Sequence, residues 1–588
     1  MRLPFLTYRA ALCGCLFFAC ASGFAQEPEA PTRIKAEPVN IPGSTDAKRW
    51  MIVAANRYAS EAGADILRKG GSAVDAAIAA QWVLNLVEPQ SSGIGGGGFM
   101  LTWHQKTQKL QAWDGRETAP SAGRIDDYRD AEGKALPFAD VVREGKAVGV
   151  PGLTALLWQT HAQHGKLPWN TLFEPAINLA ENGFFVSPRL QSLLENDKLL
   201  KEDVHAAELY YPNDKAVQSG IYIRNPALAQ TLRKLASSGN KGFYQGDMPR
   251  QIIAAIRNKT GSPSRLQESD FQNYRAVERA PVCSVVLKMQ VCGMPPPSAG
   301  GIAVLQMLQL LEMQHAGRDA KPLLRQAGLT TQWNVGQLGP WMTASRLAYE
   351  DRLRHVGDPD RVDVPVARLI SQPYLQQRLT GFSLSGALPA RDERPSTTHL
   401  SVVDAEGNAV ALTSSIEDQF GSRIMVNGFL LNNQLTDFDL RPPQRGAAPG
   451  PNAFEPGKRP RSSMAPTIVL SNDKPQQVLG IIGSPGGPQI PSYIASRLYA
   501  HWWGSHAPAQ SVAAPHITLR ESRLDIESGQ LDMISIKGLR DVLPAGPGRD
   551  DIPVNLTPQT SGIAWIIRTQ AGWQGVADPR REGVALGD

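Results

Sequence analysis

The sequence predicts a protein of the α+β class, with helices in its front part and strands in its back part. Helix caps and helical patterns begin near residue 49 and dominate residues 150–380, whereas apolar and polar residues alternate with period two from residue 397 onward. The chain has 588 residues, of which 42% are hydrophobic and 20% charged, a composition typical of a globular protein and too apolar for disorder.

The first 25 residues predict a secretion signal. Basic residues precede an apolar run over residues 10–21, and Gly23-Phe24-Ala25 offers the small residues that a signal peptidase reads, so we expect cleavage after Ala25 and export to the periplasm or beyond. A lipid anchor at Cys15 or Cys20 is the alternative.

Residues 26–48 are rich in Pro, Glu and Thr and are predicted to form an extended leader. Beyond residue 25 no apolar run approaches the ~20 residues that a membrane-spanning helix needs, so the sequence predicts no membrane span. The net charge of +5 is small for this length, and no Lys/Arg-rich block occurs, which argues against a nucleic-acid partner.

The folded part is predicted to start with two helices. Ser60 can cap a first helix that stops at Gly70-Gly71. Ser72 and Asp75 have the spacing of a capping box, which predicts an Ala-rich helix that reaches Val87.

A glycine run over Gly93–Gly98 satisfies the spacing GxGxxG. A nucleotide-binding motif requires a strand before the run and a helix after it, but the segment before it ends a helix at Glu88-Pro89 and no helix opens at Gly98. The run is therefore predicted to allow close backbone approach rather than to bind a nucleotide.

Cys283 and Cys292 are the cysteines left after signal removal. A tight turn near Leu287-Lys288 would place them opposite one another on paired strands, where they form a disulfide or remain two unconnected small hydrophobic residues. His161 and His164 have no further metal ligand nearby, so no metal site is predicted.

Two hairpins are predicted in the back part. Thr397–Val403 and Ala409–Ser415 flank the turn residues 405–408, and Thr467–Leu470 pairs with Val478–Ile482. If the first hairpin is unbulged and its turn is centred on Glu406, Thr397 lies opposite Ser415.

The segment Thr397–Asp404, followed by Gly407–Val410, resembles the junction at which γ-glutamyltransferases cut their own chain. Further signature segments of that family occur in the family's order: Ser92–Met100, Asp114–Pro120, Met294–Gly301, Leu431–Gln434 with Asp437-Phe438, Lys458–Met464 and Gly483–Gly487. The resemblance extends from about residue 50 to Asp578-Pro579-Arg580.

The resemblance implies a fold of the N-terminal nucleophile hydrolase type, a four-layer αββα sandwich made from one self-cleaved precursor. Cleavage before Thr397 would give a large subunit, residues 49–396, and a small subunit, residues 397–588, which together form one interleaved domain. The freed α-amino group, with an ordinary pKa of ~7.7–8.0, can serve as the base for the Thr397 hydroxyl.

The resemblance also assigns roles in the reaction. Thr397 matches the nucleophile, and Ser415 matches a hydroxyl that supports the nucleophile and self-cleavage. Gly486 and Gly487 match the backbone N–H donors of the oxyanion hole.

A γ-glutamyl group has an α-carboxylate and an α-ammonium on one carbon, so its recognition requires a cation and an anion close together. Arg116 matches the family's carboxylate-binding arginine, and Asp437 the acid that binds the ammonium. Ser462 and Ser463 match hydroxyls that bind the carboxylate, and Gln434 matches another substrate contact.

Two departures from the family concern the handling of the acceptor. Glu417 stands where the family often has Asn; its carboxylate can still accept from the ammonium but adds negative charge. The loop Arg441–Pro460, which is expected to cover the pocket, lacks the tyrosine that is common there.

The resemblance implies an exported γ-glutamyltransferase that uses no cofactor. Its donors would be glutathione or other γ-glutamyl compounds, and its acceptors water, amino acids or peptides. A cephalosporin or glutaryl acylase of the same fold and an uncleaved, inactive binding protein are the alternatives.

Overall fold

A computed structural model of the protein describes residues 43–258, 264–315, 335–382, 395–442, 448–520, 523–528 and 552–588. The predicted signal peptide and most of the predicted leader lie outside these ranges. Within the ranges, no helix combines the length and apolar character needed to cross a membrane.

The described strands are, in chain order, β1 (Thr45–Ala47), β2 (Met51–Ala54), β3 (Gly97–His104), β4 (Lys109–Gly115), β5 (Phe184–Phe185), β6 (Tyr222–Ile223), β7 (Val277–Arg279), β8 (Val282–Val286), β9 (Met289–Gly293), β10 (Pro395–Val403), β11 (Ala409–Asp418), β12 (Met425–Val426), β13 (Phe429–Leu430), β14 (Thr467–Ser471), β15 (Val478–Gly483), β16 (Ile517–Arg520), β17 (Arg523–Glu527), β18 (Val554–Thr557), β19 (Ala564–Thr569), β20 (Gly572–Ala577) and β21 (Val584–Gly587).

The described helices are α1 (Arg57–Arg68), α2 (Ala73–Val87), α3 (Phe138–Val141), α4 (Leu153–His164), α5 (Glu174–Asn182), α6 (Pro188–Asn196), α7 (Val204–Tyr210), α8 (Pro226–Ser238), α9 (Lys241–Tyr244), α10 (Asp247–Asn258), α11 (Glu268–Asn273), α12 (Gly300–His315), α13 (Val335–His355), α14 (Val366–Leu369), α15 (Gln372–Thr380), α16 (Ile490–Trp502) and α17 (Pro508–Ala513).

Two antiparallel sheets, each with seven described strands, lie face to face. The first has the order β21-β2-β10-β11-β3-β4-β7 and the second the order β1-β20-β19-β15-β14-β9-β8. Side chains of one sheet reach the backbone of the other: the Ser401 hydroxyl on β10 donates to the Ala564 carbonyl on β19 at 2.9 Å.

Helices cover both outer faces of the sheet pair. Helices α1, α2 and α4 bury the outer face of the first sheet, and α12 and α16 bury that of the second, with α13 packed on α12. The architecture is the predicted four-layer αββα sandwich.

Both sheets combine strands from either side of the predicted cleavage junction. In the first sheet, β2, β3, β4 and β7 precede residue 397, whereas β11 and β21 follow it, and β10 contains it. The second sheet likewise mixes β1, β8 and β9 with β14, β15, β19 and β20. The change of pattern near residue 397 therefore marks no boundary between separately folded units.

The start of the fold differs from the prediction in two ways. Strands β1 and β2 precede α1, and β1 lies in the last residues of the predicted leader. The cap of α1 is Asn56, whose side chain accepts from the Tyr58 N–H at 3.0 Å. Ser60 instead lies inside the helix, and its hydroxyl donates to the Val584 carbonyl at 2.8 Å.

Other local predictions are confirmed. Ser72 and Asp75 form the reciprocal capping box of α2, with bonds of 3.1 and 2.9 Å, and α2 ends at Val87. The hairpin of β14 and β15 also forms where it was predicted.

The cysteine hairpin forms as well. Strands β8 and β9 place Cys283 opposite Cys292, and their sulfur atoms are bonded. Leu287 and Lys288 both have positive φ, 53° and 63°, as a two-residue hairpin turn requires.

Candidate active site

The predicted cleavage junction lies inside strand β10, at a break in its pairing with β11. From Val403 back to Thr397 the register is continuous, and Thr397 faces Ser415 as predicted. Between Thr397 and Ser396 the register shifts by one residue, so that Ser396 faces Glu417. The predicted scissile peptide bond thus coincides with a β-bulge, in which Ile416 is the extra residue.

The Ser415 hydroxyl contacts both sides of this peptide bond. Its Oγ lies 3.2 Å from Thr397 Oγ1, donates to the Ser396 carbonyl oxygen at 2.9 Å, and accepts the Glu417 N–H at 2.9 Å. A hydroxyl has one hydrogen to donate, so the Thr397 hydroxyl is the donor in its contact with Ser415. The arrangement is a proton path from Thr397 through Ser415 to the carbonyl oxygen of the same peptide bond.

The loop after α2 holds the residues on either side of the junction. The Ser396 hydroxyl donates to Ser91 Oγ at 3.2 Å, and the Thr398 hydroxyl donates to Glu88 Oε2 at 3.0 Å. Burial raises the pKa of the Glu88 carboxyl. Neither Ser91 nor Glu88 was predicted as a site residue; their place beside the glycine run was the one available signal.

The glycine run packs against the backbone of Ser415 and its neighbours on β11. Residues Gly97 and Gly98 begin β3 and pair with Ser415 and Ser414. A Cβ atom on Gly96 would lie 2.2 Å from the Ser415 carbonyl oxygen. The run permits close backbone approach, as predicted, and leads into a strand rather than into the helix of a nucleotide site.

A pocket at this junction brings together most of the predicted site residues. It is lined by Arg116, Arg352, Thr397, Ser415, Glu417, Gln434, Asp437, Arg461, Ser462, Ser463, Met464, Gly487, Pro488 and Ile490. Among the predicted site residues, Gly486 does not line the pocket, although Gly487, the next residue in the chain, does.

Arg116 and Asp437 form an ion pair at the pocket wall. Arg116 Nη2 donates to Asp437 Oδ2, and its Nε and Nη2 also donate to the Pro460 and Arg461 carbonyls at 3.1 and 2.8 Å. Gln434 Nε2 donates to the same Asp437 oxygen at 2.8 Å. The Arg116 side chain has no exposed surface, whereas that of Asp437 is 22% exposed.

Glu117 is a buried acid that was not predicted as a site residue. Its Oε2 lies 3.7 Å from Arg116 Nη1, and no hydrogen bond to either carboxyl oxygen occurs within the described residues. Burial raises the pKa of Glu117 to about 8, against the opposing effect of Arg116. The carboxyl group that accepts a hydrogen bond from Arg116 is that of Asp437, not that of Glu117.

Glu417 contributes a second acid to the pocket. Its backbone has a positive φ of 81°, a conformation that the bulge imposes, and its Oε2 accepts from Asn433 Nδ2. Together with Asp437, Glu417 gives the pocket an acidic side on which an ammonium group can bind.

Ser462 and Ser463 lie on a loop that other segments hold in place. The Ser462 backbone exchanges bonds with Pro297 and Ala299, of 3.0 and 2.9 Å. Ser462 Oγ accepts the Met464 N–H at 3.1 Å, and Ser463 Oγ accepts from Arg352 Nε at 2.9 Å. Arg352, on the last turn of α13, is a pocket residue that the sequence analysis missed.

Gly486 and Gly487 follow strand β15 with φ values of 136° and 54°, which non-glycine residues rarely adopt. Over the described residues, neither backbone N–H donates to a protein acceptor. A Cβ on Gly486 would lie 2.4 Å from the Tyr493 ring, so the turn also needs glycine for space. Two adjacent unused N–H donors, one of them on a residue that lines the pocket, can stabilise an oxyanion.

Comparisons with known proteins agree with this geometry. The family profile described as Gamma-glutamyltranspeptidase matches residues 59–588. The glutathione hydrolase proenzyme of Bacillus subtilis (strain 168) is 33% identical over 606 residues, which cover 98% of this chain and 97% of that relative.

Solved structures share the fold. The cephalosporin acylase from Bacillus halodurans aligns with a TM-score of 0.77 at 24% identity, over 96% of this chain and 99% of that chain. The gamma-glutamyltranspeptidase of Helicobacter pylori aligns with a TM-score of 0.50 at 29% identity, over 55% of this chain and 89% of that chain. The predicted fold type is thus confirmed, and the acylase likeness bears on the fold alone.

The matched profile covers most of the chain, and the relative is similar over nearly its whole length. The chain therefore belongs to the gamma-glutamyltranspeptidase family.

Proposed function

We propose that this protein is an exported γ-glutamyltransferase and glutathione hydrolase that cleaves its own chain before Thr397. The observation that carries the proposal is the hydrogen-bond path from Thr397 through Ser415 to the Ser396 carbonyl oxygen, at a bulged peptide bond. A hydroxyl poised beside the carbonyl that precedes it is the arrangement that self-cleavage needs.

In self-cleavage, Thr397 Oγ1 attacks the carbonyl carbon of Ser396 while Ser415 Oγ receives the Thr397 hydroxyl proton and passes its own proton to the Ser396 oxygen on which negative charge develops. The C–N bond then breaks as the proton on that oxygen moves to the Thr397 nitrogen and the carbonyl re-forms, and an ester joins Ser396 to Thr397 Oγ1. Water then hydrolyses this ester and leaves a carboxylate on Ser396 and a free amino group on Thr397.

In turnover, the free α-amino group of Thr397 takes the proton of its own hydroxyl, which attacks the γ-carbonyl of the donor. The N–H groups of Gly486 and Gly487 stabilise the oxyanion, the leaving amine takes the proton, and a γ-glutamyl ester forms on Thr397. Water or the amine of an amino acid or peptide then attacks the ester and releases glutamate or a new γ-glutamyl compound.

The charges of the pocket support a γ-glutamyl head group. Asp437 and Glu417 offer carboxylates for the α-ammonium, and the Ser462 and Ser463 hydroxyls offer donors for the α-carboxylate. Glutathione is the donor we propose, which is also the substrate that the name of the Bacillus subtilis relative gives for that protein.

Denaturing electrophoresis with N-terminal sequencing tests the proposal. We expect two chains: the small subunit starting at Thr397, and the large subunit with its leader still attached, starting at Gln26. Thr397→Ala should block both the cleavage and the release of chromophore from a γ-glutamyl anilide, and Thr397→Ser should retain both. A wild-type chain that stays uncut after long incubation would support the alternative of an uncleaved binding protein. Cleavage of the Thr397→Ala chain would show that Thr397 is not the nucleophile.

A glutaryl or cephalosporin acylase is the second candidate because a cephalosporin acylase shares the fold over nearly the whole chain. Asp437 discriminates between the two, since a glutaryl chain has no ammonium group for it to bind. The γ-glutamyl anilide should therefore be cleaved much faster than the glutaryl anilide. Stimulation of chromophore release by a dipeptide acceptor would separate transfer from hydrolysis.

A further inference from the structure

The turn that carries the two proposed oxyanion donors, residues 484–488, is anchored at both ends; we call it the oxyanion turn. At its start, the Gly562 N–H donates to Ser484 Oγ at 3.1 Å. At its end, the hydroxyl of Tyr349 on α13 donates to the Pro488 carbonyl at 2.7 Å. These two bonds fix where the turn begins and ends, but not the orientation of the peptide units between them.

The middle of the oxyanion turn has few restraints of its own. In the described part of the chain, the Gly486 carbonyl accepts a backbone hydrogen bond from the Gln489 N–H at 3.2 Å, and the Gly486 N–H donates none. Gly486 and Gly487 have no Cβ, so rotation of the peptide unit between them meets little steric resistance. Such a rotation would turn the Gly487 N–H away from the pocket that Gly487 lines. The direction of this donor therefore depends on what packs against Gly486.

The side chain that packs against Gly486 is Tyr493, near the start of α16. A Cβ on Gly486 would lie 2.4 Å from Cε2 and 3.0 Å from Cδ2 of the Tyr493 ring, which is fully buried. The centre of this ring lies 4.0 Å from that of the His516 ring, and its hydroxyl contacts the Oε1 atoms of Gln489 and Gln559 at 2.5 and 2.6 Å. The Tyr493 ring is thus restrained by a second ring and at its hydroxyl.

The His516 ring is itself held by a chain of hydrogen bonds. The Ser561 hydroxyl donates to Asp578 Oδ2 at 2.7 Å, so the contact of 2.8 Å between His516 Nε2 and Ser561 Oγ has the histidine as donor. Ser561 directly precedes Gly562, whose N–H anchors the start of the oxyanion turn. One segment of chain therefore supports both the turn and the ring beneath it.

We propose that Tyr493 is a positioning residue that keeps the Gly487 N–H directed at the oxyanion. The inference rests on the proposed function, and it concerns a side chain that does not line the pocket. Because the oxyanion exists only in the transition states and tetrahedral intermediates, Tyr493 is expected to affect their stability and not the binding of the donor.

The experiment compares variants of Tyr493 on purified, processed enzyme with a γ-glutamyl anilide. Tyr493→Leu removes the ring from Gly486. Acylation and deacylation both pass through an oxyanion, so this variant should lower kcat by about 10- to 100-fold and change KM by less than about threefold. Tyr493→Phe keeps the ring on Gly486 and should retain at least about a third of the wild-type kcat.

Inhibition by two compounds separates the position of the donor from general damage to the pocket. A boronic acid analogue of glutamate, with boron in place of the γ-carbonyl carbon, forms a tetrahedral anionic adduct with a hydroxyl nucleophile, whereas glutamate resembles the ground state. Tyr493→Leu should weaken inhibition by the boronic acid by about the factor that kcat loses. Inhibition by glutamate should stay that of wild type.

Tyr499→Leu is the matched control, since Tyr499 lies six residues further along α16, is 2% exposed and packs on the Trp503 ring at 5.2 Å between centroids. The control should lose stability in thermal unfolding and keep the wild-type kcat. If Tyr493→Leu does not fold or does not cleave itself, Tyr493→Met takes its place, because an unbranched side chain fills more of the space without restraining Gly486. The methionine variant should show the same loss of kcat.

A wild-type kcat in the leucine or methionine variant would overturn the inference. Equal weakening of both inhibitors, or an equal loss of kcat in Tyr499→Leu, would also overturn it, because the effect would then come from the pocket or the helix as a whole. Failure of the proposed function looks different: the wild-type chain itself would release no chromophore from the γ-glutamyl anilide.

Discussion

Removal of the Ser415 hydroxyl tests the proposed self-cleavage of the precursor. Ser415 Oγ is buried and makes three contacts: to Thr397 Oγ1 at 3.2 Å, to the Ser396 carbonyl at 2.9 Å and to the Glu417 N–H at 2.9 Å. Ser415→Ala deletes the proton acceptor for Thr397 and the donor to the carbonyl oxygen in one change.

Two magnitudes follow from these contacts. Loss of one preorganised donor to a developing oxyanion typically slows a reaction by ~10²–10³-fold, so we expect self-cleavage to slow by at least that factor. The buried Glu417 N–H also loses its acceptor, which should lower the free energy of unfolding by ~1–3 kcal/mol.

The assay follows the conversion of precursor into two chains on denaturing gels over time, with thermal unfolding measured in parallel. Ser414→Ala is the matched control because Ser414 is the adjacent buried serine, and its hydroxyl donates to Gln81 Oε1 at 2.7 Å on the other face of β11. The control should lose comparable stability and still cleave at the wild-type rate.

Cleavage of Ser415→Ala as fast as wild type would refute the proposed role of this hydroxyl, since the proton path would then be irrelevant. An equal slowing in Ser414→Ala would also refute it, because the effect would come from strand stability rather than from the junction.

Two further predictions concern the contact between the sheets, and both use the Thr397→Ala precursor so that one chain unfolds. Gly483→Ala should lower the free energy of unfolding by ~1–3 kcal/mol in denaturant titrations, because its Cβ would lie 2.2 Å from the His399 ring. That ring cannot easily move, since its nitrogens are hydrogen-bonded to the Thr413 and Ser401 hydroxyls at 2.8 and 3.1 Å. Gly450→Ala is the control and should be nearly neutral, because no atom lies within 4 Å of the added Cβ. Burial lowers the pKa of His399 from 6.5 to about 3, so between these pH values the unfolded chain binds a proton at this residue that the folded chain does not. The free energy of unfolding should therefore decrease as the pH falls from about 6.5 toward 3, by about 1.4 kcal/mol per pH unit. A His399→Gln variant should lack that contribution, and an identical pH dependence of unfolding in both chains would contradict the assignment.

Short-range features were predictable from the sequence because local rules determine them. The spacing of Ser72 and Asp75 specified a capping box, and the turn at Leu287-Lys288 placed Cys283 opposite Cys292. The pairing of Thr397 with Ser415 followed in the same way, since a tight turn and the period of two leave little freedom of register. The bulge that begins one residue further along was not predictable, because it depends on what β11 contacts beyond Ser415.

The sequence by itself determined the family, the hairpin that contains Thr397 and the chemical types of the residues in the pocket. Tertiary structure alone decided how those residues are paired. The Ser396–Ser91, Arg116–Asp437 and Arg352–Ser463 contacts join residues 305, 321 and 111 positions apart. Contacts over such distances arise from the stacking of two sheets and their helices, and spacing along the chain does not encode them. For that reason the sequence named Arg116 and Asp437 as site residues, whereas only the packing shows that the two side chains bind each other.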